Sequence, residues 1–271
     1  YKIRTTPTAM VATCFIIGLF IFSFVSPFVL SNDHLEINMM NQNATPSWAH
    51  IFGCDEIGRD IFARIIYGAR YTMSIGIFTT AISCIVGGLL GAIAGYFGGH
   101  TDNIIMRILD VFQSFPGILL SITISAVLGP GFSKIILALG IGMIPGYARM
   151  MRASIMRIRD SEYIEAEQSI NCPTYRIIAR HIVPNAMSPL IVQAAMGIAS
   201  AGLAASTLSF LGFGIQAPTP EWGSMLSSAR NYIRNYPHLC IFPGLFIMAT
   251  VVSYNMIGDT VRDALDPKLK D

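Results

Sequence analysis

Six long runs of apolar residues organise the chain, separated by shorter polar stretches. They predict membrane spans at about 9–30, 71–97, 108–128, 134–151, 186–213 and 239–258, since crossing a bilayer core takes about 20 apolar residues. The first run, Thr5 to Asn32, follows Lys2 and Arg4. It is too long for a signal peptide and has no small-residue cleavage site, so it predicts a retained span entering from the inner side. Gly87, Gly91 and Gly95 recur every fourth residue in the second span, a spacing that lets another helix approach one face closely. Phe115-Pro116-Gly117 predicts a kink in the third span, because proline removes a backbone hydrogen bond. Pro145-Gly146 predicts a break in the fourth. The fifth is rich in small residues, with Gly197/Ala201 and Gly202/Ser206 pairs that mark a helix pressed against others. Pro116, Gly117, Pro145, Ser206 and Ser209 are the candidate kink or pathway residues, with ordinary packing as the alternative.

The polar stretches carry the remaining candidates. Residues 31–70 form an external segment holding Asp55, Glu56, Arg59 and Asp60. Three acids in six residues with one turn glycine make no recognised cation loop, so they predict a structured segment packed on the outer mouth. A second external stretch, 214–238, contains Glu221 and Trp222; the indole suits either the membrane interface or contact with an external protein. Asp55, Arg59, Asp60, Glu221 and Trp222 are the candidate external contacts. On the inner side, 98–110 reads as a short loop with Arg107 and Asp110 at helical i, i+3 spacing. The longest inner polar stretch is Arg149 to Pro184. Its apolar positions are too sparse for a span and suit short amphipathic helices. Asn171-Cys172-Pro173 breaks it, which predicts one helix at about Ser161 to Ile170 and a return helix to His181. A polar tail closes the chain, with a domain division of 1–30, 31–70, 71–260 (inner loop 152–184) and 261–271.

Composition fits this pattern: 53% of residues are hydrophobic and 13% charged, against about 25% charged in soluble domains. The chain is read as an all-α polytopic membrane protein. Twelve of the 18 Lys and Arg fall on the proposed inner segments, so the positive-inside rule puts both termini in the cytosol. No basic surface stands apart from the membrane flanks to bind nucleic acid. Of five cysteines, Cys14, Cys84 and Cys240 lie in apolar runs as small buried hydrophobes; Cys54 and Cys172 lie on opposite sides and cannot pair. No cysteine spacing suggests a metal site. No glycine precedes any lysine, so there is no phosphate-binding P-loop. Mid-span acids, which ion-driven carriers normally need, are missing too. The chain reads as a pathway whose energy source lies on another subunit.

Glu165-Ala166-Glu167, then Asn171, then Ile182-Val183-Pro184 resembles the EAA loop of ATP-binding-cassette (ABC) importer permeases. Further matches are Phe52 to Asp60, Tyr67-Gly68-Ala69-Arg70, Ala94 to Gly99, Tyr147-Ala148-Arg149, Ser209 to Gly214, Pro218 to Gly223 and Asp263 to Pro267. In this order they resemble the peptide/nickel permease group, the C partner of dipeptide and oligopeptide importers. The resemblance implies a type I importer transmembrane domain with six spans and a cytosolic coupling helix, in a bacterial or archaeal inner membrane. It implies a second homologous permease, two ATP-binding subunits and an extracytoplasmic solute-binding protein as partners, beside the lipid bilayer. ATP and Mg would sit on the partners, and no cofactor in this chain. Glu162, Glu165, Ala166, Glu167, Asn171 and Arg176 are the expected contacts to the ATP-binding subunits. The cargo would be a peptide, with nickel or a metal chelate as the alternative; an ATP-independent channel or secondary carrier is the reading from another class. Two residues depart from the pattern, Glu167 for alanine and Asn171 for glycine. Asparagine tolerates the left-handed conformation a corner needs.

Overall fold

The computed structural model describes residues 6–30 and 33–265. Lys2, Arg4 and the tail beyond Leu265 lie outside them. We number the helices α1 (Pro7–Val29), α2 (Ile61–Phe97), α3 (Gly99–Gln113), α4 (Gly117–Leu128), α5 (Phe132–Arg159), α6 (Glu162–Ser169), α7 (Thr174–Phe210), α8 (Trp222–Ala229) and α9 (His238–Leu265). Five of them, α1, α2, α5, α7 and α9, are long and apolar enough to cross a membrane; α3 and α4 form a bent pair that supplies a sixth crossing if counted as one.

The bundle follows from stripes of small and apolar side chains. In α1 the buried residues are Ala9, Ala12, Ile16, Leu19, Ser23 and Ser26. Their alternating spacing of three and four is a narrow seam, which packs on α2 and α9. The opposite face, with Ile17, Ile21 and Phe24, is exposed, as a lipid-facing surface is. Cys14 lies on that exposed face, not buried as expected. The glycine stripe of α2 meets α5. A Cβ added at Gly91 would lie 2.2 Å from the Ala148 carbonyl oxygen, so only glycine permits this approach.

Several boundaries differ from the sequence reading. Helix α2 begins at Ile61 rather than near 71, because Asp60 caps it: its Oδ1 accepts the Ala63 amide at 2.8 Å. At 37 residues it is about 55 Å long, so it projects beyond an apolar core about 30 Å thick. Residues 99–113, expected mostly as a loop, are the amphipathic α3. Pro116 does not kink a continuous span but stands at the N-cap of α4, and the axes of α3 and α4 meet at 85°. With 12 residues, α4 alone reaches about 18 Å, too short to cross. Pro145 does not break α5, which runs unbroken to Arg159 with the proline buried inside it. The return helix does not stop at His181 but continues to Phe210 through a π turn at Ile177–Ile182. The second external stretch contains α8.

Candidate functional site

Two ends of the bundle carry the candidate residues: a corner around α6 and, at the opposite end, a cap made of residues 33–60 and α8.

The corner is built from local rules. Ser161 ends the turn after α5, its Oγ donating to the Ile158 carbonyl at 2.6 Å. Helix α6 then runs for eight residues. Asn171 adopts φ +56°, and Pro173 starts the ascent into α7. Among the α6 side chains described, Ile164 alone is fully buried; it enters a cluster with Ile155, Ile177, Ile182 and Tyr147. Glu162, Glu165, Ala166, Asn171 and Arg176 are exposed. Beside them Tyr163, Ile170 and Tyr175 are exposed to 46%, 75% and 71%. These three were not among the expected contacts, although large apolar side chains among acids were the available signal. Glu167 differs from its neighbours. One turn beyond Ile164, it faces inward, with a carboxylate oxygen 3.5 Å from His181 Nε2.

Three of the arginines flanking the corner, Arg149, Arg152 and Arg159, are engaged within the chain. Arg152 makes two 2.5 Å bonds to Asp102 of α3, the bidentate geometry that makes such pairs strong. Arg149 binds Asp110, which was expected to face Arg107. Arg159 donates to the Gly95 carbonyl at 3.1 Å and the Tyr96 carbonyl at 3.4 Å, satisfying the open end of α2. The α3 and α5 helices and the C-terminal end of α2 are thereby joined just beside α6.

At the cap, the candidate external contacts are turned inward. Asp55 is the hub. Its Oδ1 accepts the Ile57 and Arg59 amides at 3.1 and 2.9 Å, and its Oδ2 accepts Arg59 Nε at 2.7 Å. Arg64 Nε lies 3.4 Å from the same oxygen. Asp55, Arg59 and Asp60 are all about 95% buried, so side-chain contact with an external partner is replaced by bonding inside the cap. Trp222 is 0% exposed, and its Nε1 donates to the Ile65 carbonyl at 2.9 Å; it belongs to neither a membrane interface nor an outer surface. Glu221, also 0% exposed, caps α8 by accepting the Gly223 and Ser224 amides at 3.0 and 2.9 Å. Thr72 of α2 donates to it at 3.3 Å, and Ser206 of α7 at 3.5 Å. Burial pushes this carboxyl above the usual glutamate range, and the two α8 amides oppose that rise. Ser206 and Ser209, candidate pathway residues, are 96% and 98% buried against this unit. The capping signal was present in Pro-Glu-Trp-Gly-Ser, an acid followed by small residues at a helix start. Among the described residues no group of three His, Cys, Asp or Glu is arranged to hold a metal ion.

These features define a class: a multi-span helical membrane protein with an amphipathic corner at one end and a structured cap at the other. The fold is that of a type I ABC importer transmembrane domain. It matches a solved structure of the MetNI methionine ABC transporter in an inward-facing conformation, with a TM-score of 0.62 over 76% of this chain and 98% of that one, at 17% identity. The family model described as "Binding-protein-dependent transport system inner membrane component" matches residues 87–271, and the chain belongs to that family. It is 42% identical to the dipeptide transport system permease protein DppC of Alkalihalophilus pseudofirmus, across 99% of this chain and 88% of that one. It is 41% identical to the glutathione transport system permease protein GsiD of Pectobacterium atrosepticum, across 97% and 87%. A third relative, 37% identical, is the probable D,D-dipeptide transport system permease protein DdpC of Escherichia coli.

Proposed function

We propose that the chain forms one half of the translocation pathway of an ATP-driven peptide importer and docks its ATP-binding subunit at the α6 corner. The observation that carries this reading is the corner itself. A short helix is anchored by Ile164 and presents Glu162, Glu165 and Ala166 on its outer face, flanked by exposed Tyr163, Ile170 and Tyr175. Apolar anchors ringed by charge suit an interface core and rim. Arg176 adds a donor at the edge, and Asn171 makes the turn that sets the helix angle. The corner end carries most of the arginines, so it faces the cytosol together with both termini.

The remaining parts follow. A second homologous permease completes the pathway, and a second ATP-binding subunit docks on it. ATP on those subunits supplies the closing motion, and this chain receives it at α6. The Arg152–Asp102 and Arg159–Gly95 contacts pass the displacement to α3 and α2, and α7 carries it toward the opposite end. The cap faces the external solute-binding protein through its outer surface, where Trp48 stands fully exposed, and not through the buried Asp55, Arg59, Asp60, Glu221 and Trp222. Peptide cargo rests on the relatives' names, dipeptide and glutathione permeases. The test is uptake of a labelled dipeptide into liposomes holding this chain with its cognate permease, ATP-binding subunits and binding protein. ATP-dependent uptake is expected only from the complete set. Uptake by this chain alone without ATP would replace the proposal with a channel or carrier, and uptake of nickel in preference to the peptide would replace the cargo.

A further inference from the structure

We infer that Glu167 is not a docking residue but a latch, joined to His181, that fixes the coupling helix rigidly to the base of α7. The inference rests on the importer reading above and names the residue pair through which this particular corner transmits force.

Helix α6 touches the bundle along one stripe. Ile164 fills the cluster under it, and Glu167, at i+3 on the same face, reaches His181 at 3.5 Å. Both side chains are about seven-tenths buried, at 28% and 30% exposure. The next residues tighten the knot: the Cys172 amide donates to the Glu167 carbonyl at 3.1 Å. The Cys172 thiol is pushed up from its ordinary range, by desolvation first and by the nearby Glu167 carboxylate second.

His181 comes within reach because of the π turn. In an α-helix, residues five apart point about 140° away from each other. Ile177 and Ile182 are nevertheless both buried in the same cluster, at 1% and 0% exposure, because the i→i+5 turn places them on one side. With these two held in the core, the wide turn leaves His181 beside α6. A short helix on a left-handed residue and a proline could otherwise pivot at Asn171 to Pro173. Such a pivot would absorb displacement of α6 instead of delivering it to α7. Ile164 resists lifting, and the Glu167–His181 contact resists rotation about that anchor.

The experiment uses the complete importer in liposomes with labelled alanyl-alanine as the probe. It compares wild type, Glu167→Ala, Glu167→Gln, His181→Gln and the Glu167→Ala/His181→Gln double variant. The readouts are subunit assembly, basal ATPase rate and ATP hydrolysed per dipeptide imported. Assembly and basal rate should stay at wild-type levels, while Glu167→Ala raises ATP consumed per dipeptide about three- to fivefold, the scale of one partly exposed pair. Glu167→Gln, which keeps a side-chain oxygen at the same reach of His181 Nε2, should recover most of the wild-type ratio. The double variant should be no worse than the worse single one, since both remove the same contact. A wild-type ratio in Glu167→Ala, or additive defects in the double variant, overturns the latch and leaves the importer reading standing. Loss of assembly in Glu167→Ala and Glu167→Gln alike returns Glu167 to the docking face and also overturns the latch. A wild-type complex without ATP-driven uptake overturns both readings.

Discussion

Replacing Ile164 by alanine tests how the coupling helix is held. An isolated helix shorter than about 12–15 residues is marginal in water, and α6 has eight. Its order therefore depends on its anchor. Ile164 is 0% exposed and packs among Ile155, Ile177 and Ile182, whereas Glu162, Tyr163, Glu165 and Ala166 point outward. Removing a buried isoleucine to the β-carbon costs about 2–5 kcal/mol. Taking about 2–4 kcal/mol from local docking alone multiplies the open fraction of α6 by roughly 30 to 1,000. Amide hydrogen exchange of the purified chain in lipid nanodiscs reads this directly. Exchange across 162–170 should accelerate by that factor, while amides in the middle of α2 and α5 stay as in wild type. Glu165→Ala, on the exposed face, should change the same amides by no more than about twofold, within the surface range of ±0.5 kcal/mol. If Ile164→Ala leaves exchange at 162–170 within twofold of wild type, the anchor is elsewhere and the force path drawn through α6 fails with it.

Other predictions follow from the packing. Gly91→Ala drives a Cβ to 2.2 Å from the Ala148 carbonyl oxygen and should destabilise the α2–α5 contact by about 1–3 kcal/mol, seen as a lower thermal midpoint in detergent; an unchanged midpoint contradicts that close approach. Asp55→Asn leaves Arg59 and Arg64 buried with a weakened partner, so a loss of about 3–5 kcal/mol is expected, with the cap opening to protease before the spans do; intact resistance would show the hub is dispensable. Cys54, fully buried with its thiol pushed up to about 11 by burial and by Asp60 and Asp55, should resist maleimide at pH 8, where roughly one thiol in a thousand is ionised; rapid labelling there contradicts the folded cap. Glu221 gives a pH dependence with a definite sign. Its folded pKa is raised above 4.5, so the native state holds that proton more tightly, and the stability gained is complete below 4.5 and falls as pH rises through the folded value. Glu221→Gln should flatten the fall in thermal midpoint above pH 4.5, and a slope identical to wild type would show that the carboxyl does not sense its burial.

The spans were legible because apolar runs of bilayer length have few other uses. The corner was legible in outline: Asn171-Cys172-Pro173 signalled a turn, and Asn171 does take a positive φ. What escaped were elements whose charges are satisfied by distant partners. The first turns of α2, with Arg64 and Arg70, fell within the expected external segment 31–70. In the structure Arg64 bonds the cap, and Arg70 reaches Ser23 of α1 and lies 3.7 Å over the ring of Tyr67. Helix α3 read mostly as a short inner loop, yet its Asp102 and Asp110 meet arginines of α5 about 40–50 residues later in sequence. The inward turn of Glu167 was also out of reach, because a 3.6-residue period cannot foresee the π turn that brings His181 to it. Trp222 read as a membrane-interface or external-contact residue because its indole is amphipathic, and nothing local shows that α8 folds down between α2, α7 and α9.

We propose the outer face of α6 as the place where the ATP-binding subunit grips this chain. A photo-crosslinking amino acid placed at Tyr163, compared with one at Phe78 on the exposed side of α2, tests it in the assembled complex. An adduct with the ATP-binding subunit is expected from position 163 and none from position 78. No adduct from 163 in a complex that still hydrolyses ATP, or equal adducts from both positions, would contradict it.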